Sequence, residues 1–493
     1  MWMHQSSSRS NHLGLLIGLA GVGVGVAIGF FVGTKPLYLI LALCAIPILF
    51  YFFARFEQAV IGLLILRSSL DAFSSLQLPA VFAIAVDALT ILYVTVKLLT
   101  GQPVKVDKFW WFFVGWLIIQ SLWVILLPLG ALGLGAPFLS EAIREWVRLL
   151  TWAMVYLLVM QLKDKISPEK FVSRLFLALI VPVSVALMQM FLPSLLPPML
   201  SSGGGGGFGA LASEGARIRG TFGMANTFVT FLLLFIGLTW WKLKWVQHRA
   251  LWLVLLGILT LLFVSTKSLF SLMMLAVFVL VLIAPRLSLL NLIGGILLFG
   301  IVIALFASSE FGQQRLASIA NTPLLNPDID ISRAILLSEG DHNSFNWRLS
   351  QWNLLLNRWQ EYPFLGYGLG LSVQVAGNGF LPHNDYIRAM IEGGILGFVT
   401  YIGFFFFFFF FFFFFFFFFF FFFFLAQGFR LIQLMYQTPR NNRQYELCFI
   451  LLAILASLPI GMITENIWSH TTLFFYWWAL FAVVGWNWSE KYE

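Results

Sequence analysis

Apolar stretches long enough to cross a membrane recur along almost the whole chain, separated by short polar stretches. A helix needs about 20 mainly apolar residues to span the hydrocarbon core of a bilayer. The pattern therefore predicts an all-α polytopic membrane protein with about 12–14 transmembrane helices. The predicted spans are 13–33, 36–54, 57–70, 80–99, 109–128, 143–162, 169–192, 222–242, 249–264, 267–284, 287–307, 385–427, 445–463 and 470–488.

Span 57–70 is the weakest of these predictions. It contains Arg67 and ends near Asp71, so a short or re-entrant helix is an alternative to a full crossing. Keeping this span gives fourteen, an even number that places both termini on the same side.

One polar stretch, at residues 308–384, interrupts the apolar pattern. Most connections between helices are short, and long ones usually carry a function. Within this stretch the spacing of Trp352, Leu356 and Trp359 predicts an amphipathic helix along the membrane surface. We expect a transmembrane bundle at 1–307, an extracytoplasmic loop with short helices at 308–384, and three transmembrane helices at 385–493.

The charges of the loops predict the orientation of the chain. It is 60% hydrophobic and carries 29 Lys and Arg against 21 Asp and Glu, and cytoplasmic loops are enriched in Lys and Arg. The basic loops all fall on one side if fourteen spans are kept, so this side and both termini are predicted to be cytoplasmic, in a plasma (inner) membrane. We expect membrane lipids as partners and no nucleic acid. The basic loop residues are Arg55, Lys105, Lys108, Lys163, Lys165, Lys170, Lys242, Lys244, Arg249, Arg286, Arg430, Arg440 and Arg443.

For two low-complexity segments and two cysteines, the sequence favours structural roles over chemical ones. Phe404–Phe424 is an unbroken run of phenylalanine, and a helix of that length can serve as a lipid-facing span. Gly203–Gly207 is typical of a flexible hinge. Cys44 and Cys448 both lie in apolar runs, which favours buried small residues over a disulfide or a metal pair.

Several cationic residues on the predicted outer side oppose the charge bias. For Arg217 and Arg358 we favour interfacial snorkelling or a solvated loop charge. For three others a functional role is favoured, because each lies in a patterned local sequence. They are Arg219, Lys267 and Arg348. For His383, on the same side, a functional and a structural role stay open.

The segment from Arg219 to Asn226 enters a predicted helix from an outer loop. Thr221 is a candidate cap for that helix. The helix N-terminus and the Arg219 guanidinium together suit a phosphate group. The alternative is an ordinary capped helix with a snorkelling arginine.

His383 lies where the long loop returns to the membrane. Pro382 marks the end of the loop, and a helix is predicted from about Asn384. Arg388 and Glu392 are spaced to pair on that helix. A histidine at this position can act as a general base, or it is a hydrogen-bonded interfacial residue.

Two kinds of sequence motif that would indicate a bound metal or nucleotide are absent. No cluster of His, Cys, Asp and Glu has metal-ligand spacing, and no phosphate-binding P-loop sequence occurs. We therefore expect neither a metal site nor a cofactor.

These segments, in this order, resemble the O-antigen ligase and polymerase superfamily of membrane glycosyltransferases. The resemblance covers about residues 210–405. A lysine stands at position 267, where an arginine is common in relatives. The matching residues are Arg219-Gly220-Thr221-Phe222 with Asn226, Lys267 after Thr266, Arg348 with Trp352, Pro363-Phe364-Leu365-Gly366-Tyr367-Gly368, and His383-Asn384 followed by Glu392-Gly393-Gly394-Ile395-Leu396-Gly397.

The resemblance implies a function in cell-envelope polysaccharide biosynthesis, such as that of lipopolysaccharide. It implies a polyprenyl-diphosphate-linked glycan as donor, a lipid or glycan acceptor, and inversion without a metal. His383 would activate the acceptor hydroxyl. The diphosphate would be bound by Arg219, Arg348 and Lys267, with Asn226, Asn384 and Glu392 in support.

Two alternatives stay open. The sister reaction polymerises lipid-linked repeat units, and the loop at 308–382 is the expected place of that choice. A small-anion transporter, for example for bicarbonate, would show discontinuous helices and charges near the bilayer midplane. Asp87 is the main acid within a span, and the sequence shows no basic partner at its depth.

Overall fold

A computed structural model describes residues 46–201, 217–286, 344–401 and 423–488, with scattered residues between 288 and 337. The predicted span 13–33, most of 287–307, the glycine run and the phenylalanine run up to residue 422 lie outside the described residues, as does Cys44.

Throughout the described part of the chain the regular structure is helical, so the predicted all-α fold class is confirmed. The helix predicted around Trp352 and Trp359 is also present, as α11, while its location along a membrane surface stays a prediction. The helices are α1 Ile46–Ala54, α2 Phe56–Arg67, α3 Leu78–Leu99, α4 Lys108–Leu126, α5 Leu139–Met160, α6 Pro168–Leu175, α7 Ile180–Phe191, α8 Ala225–Trp245, α9 Ala250–Ser265, α10 Leu269–Ile283, α11 Ser344–Trp359, α12 Ser372–Ala376, α13 Asp385–Tyr401, α14 Phe423–Gln437, α15 Arg443–Met462 and α16 Thr471–Val483.

Five helical segments among the described residues are long and apolar enough to cross a membrane: α3, α4, α6 with α7, α8 and α15. Helices α1 and α2 meet at a bend of 117° and would together make a sixth, either as a broken span or as a re-entrant loop. Three shorter apolar helices, α9, α10 and α16, also coincide with predicted spans. A polytopic membrane protein is therefore confirmed, while the count of fourteen spans stays a prediction.

Helix α16 lies at the centre of the bundle. Every residue from Thr472 to Val483 is buried, as expected for a helix that is apolar on all sides. It packs against α5 and α8, while α15 packs against α8, α10 and α14. The short connection 463–470 between α15 and α16 is therefore fixed by the most buried part of the protein.

Helix α13 is broken at Gly394, where φ is 62° and ψ is −161°. The preceding segment fills the break with backbone hydrogen bonds. Ile395 N donates to Pro363 O at 2.8 Å, and Tyr367 N donates to Ile391 O at 2.8 Å. The prediction of one continuous span over 385–427 is therefore wrong at this point, because Gly394 permits a left-handed turn that a helical residue does not adopt.

Substituting Gly394 tests this junction. A Cβ at Gly394 would lie 2.3 Å from the carbonyl oxygen of Phe364, and the positive φ adds backbone strain. We expect Gly394→Ala to lower the free energy of unfolding by about 1–3 kcal/mol or more, measured by thermal unfolding in detergent. Gly428→Ala is the control, since the nearest atom to its added Cβ is 3.7 Å away. Equal stability of the two variants would contradict this account of the junction.

Candidate active site

His383 lies at the start of α13, as predicted. The Asn384 side chain caps the helix, because its Oδ1 accepts hydrogen bonds from the backbone N–H groups of Tyr386 and Ile387, both at 3.0 Å. His383 itself has a φ of 51°, in the left-handed region. Trp352 of α11 donates its indole hydrogen to Pro382 O at 2.5 Å. The long loop and α13 together therefore hold the His383 backbone.

The partner of His383 is Glu465, which comes from the connection between α15 and α16. The Nδ1 atom of His383 lies 3.2 Å from Glu465 Oε1. Glu465 is only 3% exposed. Its other oxygen accepts a hydrogen bond from Asn226 Nδ2, at the start of α8. Glu465 therefore joins three segments that are far apart in the sequence.

Two electrostatic effects set the charge of Glu465. Burial alone would raise the pKa of this carboxyl. The hydrogen bond and charge of His383, followed by the charges of His470 and Arg348, outweigh burial and lower the pKa to about 2. Glu465 is therefore ionised at neutral pH and can only accept hydrogen bonds. His383 Nδ1 then carries the shared hydrogen, so Nε2 is the nitrogen that accepts a proton in the tautomer that fits this contact.

Cationic side chains surround this pair. Arg348 Nη1 donates to Thr464 O at 3.1 Å, next to Glu465. Arg217 Nη2 donates to Asn226 Oδ1 at 2.8 Å. We call the set Arg217, Asn226, Arg348, His383 and Glu465 the Glu465 cluster.

The turn that carries Lys267 borders the Glu465 cluster. Arg217 Nε donates to Thr266 O at 2.9 Å, and Ser268 Oγ donates to Asn226 Oδ1 at 3.4 Å. Lys267, between these two residues, is exposed and has a φ of 51°. The turn therefore brings a further cation to the edge of the cluster.

Arg219 has partners of a different kind. Its Nη1 donates to Gly223 O at 3.0 Å, and its Nη2 donates to Met199 O at 3.2 Å and Ser201 O at 3.0 Å. These carbonyls belong to the connection between α7 and α8, and Arg219 holds its two ends together.

Thr221 does not cap a helix. It donates to Ser68 O at 2.7 Å, and α8 begins later, at Ala225, with Met224 as its N-cap. The prediction of a Thr221 cap is therefore wrong, because the hydroxyl fastens the loop to the end of α2 instead.

The structure reverses the sequence interpretation of Arg217, whose guanidinium lies in the cluster and is not simply solvated. Arg358 matches its interpretation, since it forms an exposed salt bridge with Glu361 at 3.1 Å. Sequence reasoning missed Glu465 altogether. The available signal was an acidic residue in a short outer connection between two apolar helices.

Glu392 lies in a second polar network, beside the first. The predicted pair with Arg388 is confirmed, with Nε 2.8 Å from Glu392 Oε1. Ser372 Oγ also donates to Glu392, at 2.7 Å. Arg388 further contacts Glu145 of α5 and Ser469, both at 2.7 Å. This network ties α13 to α5 and to the connection that carries Glu465.

Aromatic rings form a wall beside His383. The Trp347 ring lies edge-on to the imidazole, with centroids 6.0 Å apart. Phe380 packs against the same indole, with ring centroids 5.7 Å apart. Aromatic faces of this kind are suited to contact with the apolar face of a sugar ring.

The described residues contain no candidate metal site. No three His, Cys, Asp or Glu side chains gather there in an arrangement that could hold a metal ion.

Acid unfolding tests the charge of Glu465. Because folding lowers the pKa of this carboxyl from 4.5 to about 2, its ionised form stabilises the folded state above pH 4.5, and this stabilisation is lost as the pH falls towards 2. We expect the wild type to lose thermal stability more steeply than Glu465→Gln between about pH 5 and about pH 3. Glu361→Gln, which removes an exposed carboxylate, should follow the wild type. Parallel curves for the wild type and Glu465→Gln would contradict the assignment.

Comparison with known families identifies part of this site. The family model described as O-Antigen ligase matches residues 251–402. No curated protein matches the chain by sequence. The match contains Lys267, Arg348, His383, Asn384 and Glu392, whereas Asn226 and Glu465 lie outside it. Residues 251–402 thus match the O-antigen ligase family, and this match supports the O-antigen ligase superfamily that the motifs resemble.

Proposed function

We propose that the protein transfers a glycan from a polyprenyl-diphosphate carrier to an acceptor hydroxyl, with the Glu465 cluster as its active site. The observation that carries the proposal is the contact between His383 and the buried Glu465 carboxylate, surrounded by arginines from two other segments. This arrangement combines one base, a group that orients it, and positive charge for a leaving diphosphate.

The proton-transfer step uses the free nitrogen of His383. Nε2 accepts the proton of the acceptor hydroxyl as its oxygen attacks the anomeric carbon of the donor glycan. The bond from that carbon to the diphosphate oxygen breaks, and polyprenyl diphosphate leaves with the electron pair. A single displacement of this kind inverts the anomeric configuration. Glu465 stabilises the imidazolium that forms, since its carboxylate lies 3.2 Å from Nδ1.

The leaving diphosphate requires cations on the opposite side of the anomeric carbon. Arg348 and Arg217 contribute guanidinium groups that can bind phosphate oxygens bidentately, and Lys267 contributes an exposed ammonium at the edge of the cluster. Arg219 was assigned this role by resemblance, but its guanidinium contacts three backbone carbonyls. We therefore assign to Arg219 the shaping of the loop that carries Arg217.

A polymerase remains the sister candidate, since the same chemistry with a lipid-linked repeat unit as acceptor gives a longer chain. Trp347 and Phe380, beside the base, are placed to contact the sugar that carries the attacking hydroxyl.

The break in α13 is the observation that favours an anion transporter. Against this reading, segment 363–368 fills the break with backbone hydrogen bonds, so it leaves few groups for an ion. Asp87, the main acid within a predicted span, is buried and accepts a hydrogen bond from the neutral Thr151 hydroxyl at 2.8 Å. This contact therefore does not supply the charged partner that a transporter would show near the bilayer midplane.

Transfer activity tests the roles of His383 and Arg348. Purified protein is incubated with a polyprenyl-diphosphate glycan and candidate acceptors, and the products are separated by mass. We expect His383→Ala and Arg348→Ala each to lower the rate by on the order of a hundredfold or more. A general base contributes about that much, and so does a group that stabilises the charge of the leaving diphosphate. Arg358→Ala, which removes an exposed arginine of the same helix, should retain the wild-type rate.

Retained transfer in either site variant, with normal membrane insertion, would refute the assigned roles. A lipid or protein acceptor in the product identifies a ligase, and an extended glycan identifies a polymerase. Uptake of a radiolabelled anion by proteoliposomes, without glycan transfer, would favour the transporter.

Comparison of the two neighbouring arginines tests the revised assignment. We expect Arg217→Ala to lower kcat/KM on the order of tenfold or more through loss of a phosphate contact, with little change in the melting temperature. Arg219→Ala should mainly lower the melting temperature, because it frees three carbonyls of the loop. The reverse outcome would restore Arg219 as the diphosphate ligand.

A further inference from the structure

We propose that Lys97, Lys105 and Lys165 form a second binding site, distinct from the Glu465 cluster, for the phosphate group of an anionic membrane lipid. The three residues come from the end of α3, the connection to α4, and the connection after α5. We call them the lysine cluster.

Gln161 joins two of the three lysines. Its Oε1 accepts from Lys97 Nζ at 3.3 Å and from the backbone N–H of Lys105 at 3.1 Å. Its Nε2 donates to Lys105 O at 2.8 Å. This amide fixes the position of the Lys105 backbone relative to the end of α3.

Tyr93 joins the third lysine to the first. Lys165 Nζ donates to the Tyr93 hydroxyl at 2.9 Å, and Lys97 Nζ lies 6.0 Å from the centre of the same ring. The other face of the ring stacks on Phe56, with centroids 3.8 Å apart. Lys165 also lies over Phe56, at 4.6 Å from its centre. The stacked rings thus form one wall of a cationic site.

The lysine cluster has more positive than negative charge. Lys97 lies close enough to Lys105 and Lys165 to be repelled by both. Within the described residues the cluster's one salt bridge is between Lys105 and Asp164, at 2.8 Å, and that carboxylate is 49% exposed. Lys97 is only 8% exposed, and its hydrogen-bond partner is a neutral amide. A buried ammonium is favoured when an anion accompanies it, and among the described residues the Lys97 ammonium has no salt bridge.

The position of the cluster indicates which anion fits. Gln161 directly follows α5, whereas Glu145, which contacts the network beside the active site, lies near its start. Helix α5 packs against α3, which carries Lys97 in its last turn, has 22 residues and is long and apolar enough to cross a membrane. At about 1.5 Å per residue α3 is roughly 33 Å long, close to the thickness of a hydrocarbon core. The cluster therefore lies near the opposite membrane surface from the active site, at the depth of lipid phosphates.

The enrichment of Lys and Arg in cytoplasmic loops does not by itself explain this arrangement. Basic residues that set topology need only lie in the same loop. Here the ammonium groups of Lys97 and Lys165 lie at one aromatic ring, and Gln161 holds Lys97 and the backbone of Lys105. The Lys105 ammonium itself donates to Lys163 O and Asp164, and the Lys97 ammonium is buried. A phosphate, with several acceptor oxygens and a negative charge, can contact all three ammonium groups at once.

Ligand-dependent thermal unfolding of the full-length protein in detergent tests the proposal. The probes are short-chain phosphatidylglycerol, short-chain phosphatidylcholine and inorganic phosphate. A ligand that binds the folded state raises the melting temperature with concentration. We expect phosphatidylglycerol to do so for the wild type, and phosphatidylcholine to have no comparable effect. An equal response to inorganic phosphate would overturn the lipid as the source of the anion.

The variants Lys97→Gln and Lys165→Gln should each require on the order of tenfold more phosphatidylglycerol for the same shift. Lys165 is exposed, so its variant should fold even if the buried one does not. Lys170→Gln is the matched control, since it removes the same charge from an exposed lysine in the first turn of α6, outside the cluster. An unchanged response in both cluster variants, or an equal loss in Lys170→Gln, would overturn the proposal.

Discussion

A carboxylate buried in an apolar bundle is tolerated only with partners, and Glu465 is the group on which the candidate site depends. Burial opposes its charge, and His383, His470 and Arg348 restore it. The same carboxylate holds His383 through Nδ1 and Asn226 through its amide. Removing the charge would therefore release the base, the start of α8 and, through Asn226, the guanidinium of Arg217.

The bundle makes this buried charge possible. Helix α16 is enclosed on every side, so the connection that precedes it has little freedom to move. The Trp468 ring stacks on Trp152 of α5, with centroids 5.3 Å apart, and Arg388 fixes Ser469. The connection that carries Glu465 is thus held by the packing of Trp468 and by hydrogen bonds at Glu465 and Ser469. Rigid support of this kind is what a positioned base requires.

The segment that matches the O-antigen ligase family contains only part of the site. His383 and Arg348 lie within residues 251–402, but Arg217, Asn226 and Glu465 come from the flanking helices. In the proposed active site, those flanking segments orient His383 and complete the positive charge around it. Differences in substrate between members could therefore arise in segments outside the matched domain as well as in the long outer loop.

The sequence by itself determined the helical membrane class, the helix α11, the start of a helix near Asn384, the pair of Arg388 with Glu392 and the candidacy of His383. Each of these depends on periodicity or on residues close together in the chain, where local geometry decides the contact. The tertiary structure alone decided that Glu465 faces His383 across 82 positions, that Arg217 and not Arg219 joins the cluster, and that α13 breaks at Gly394. These contacts depend on how buried helices pack, and a linear pattern of apolar residues does not specify which loops meet.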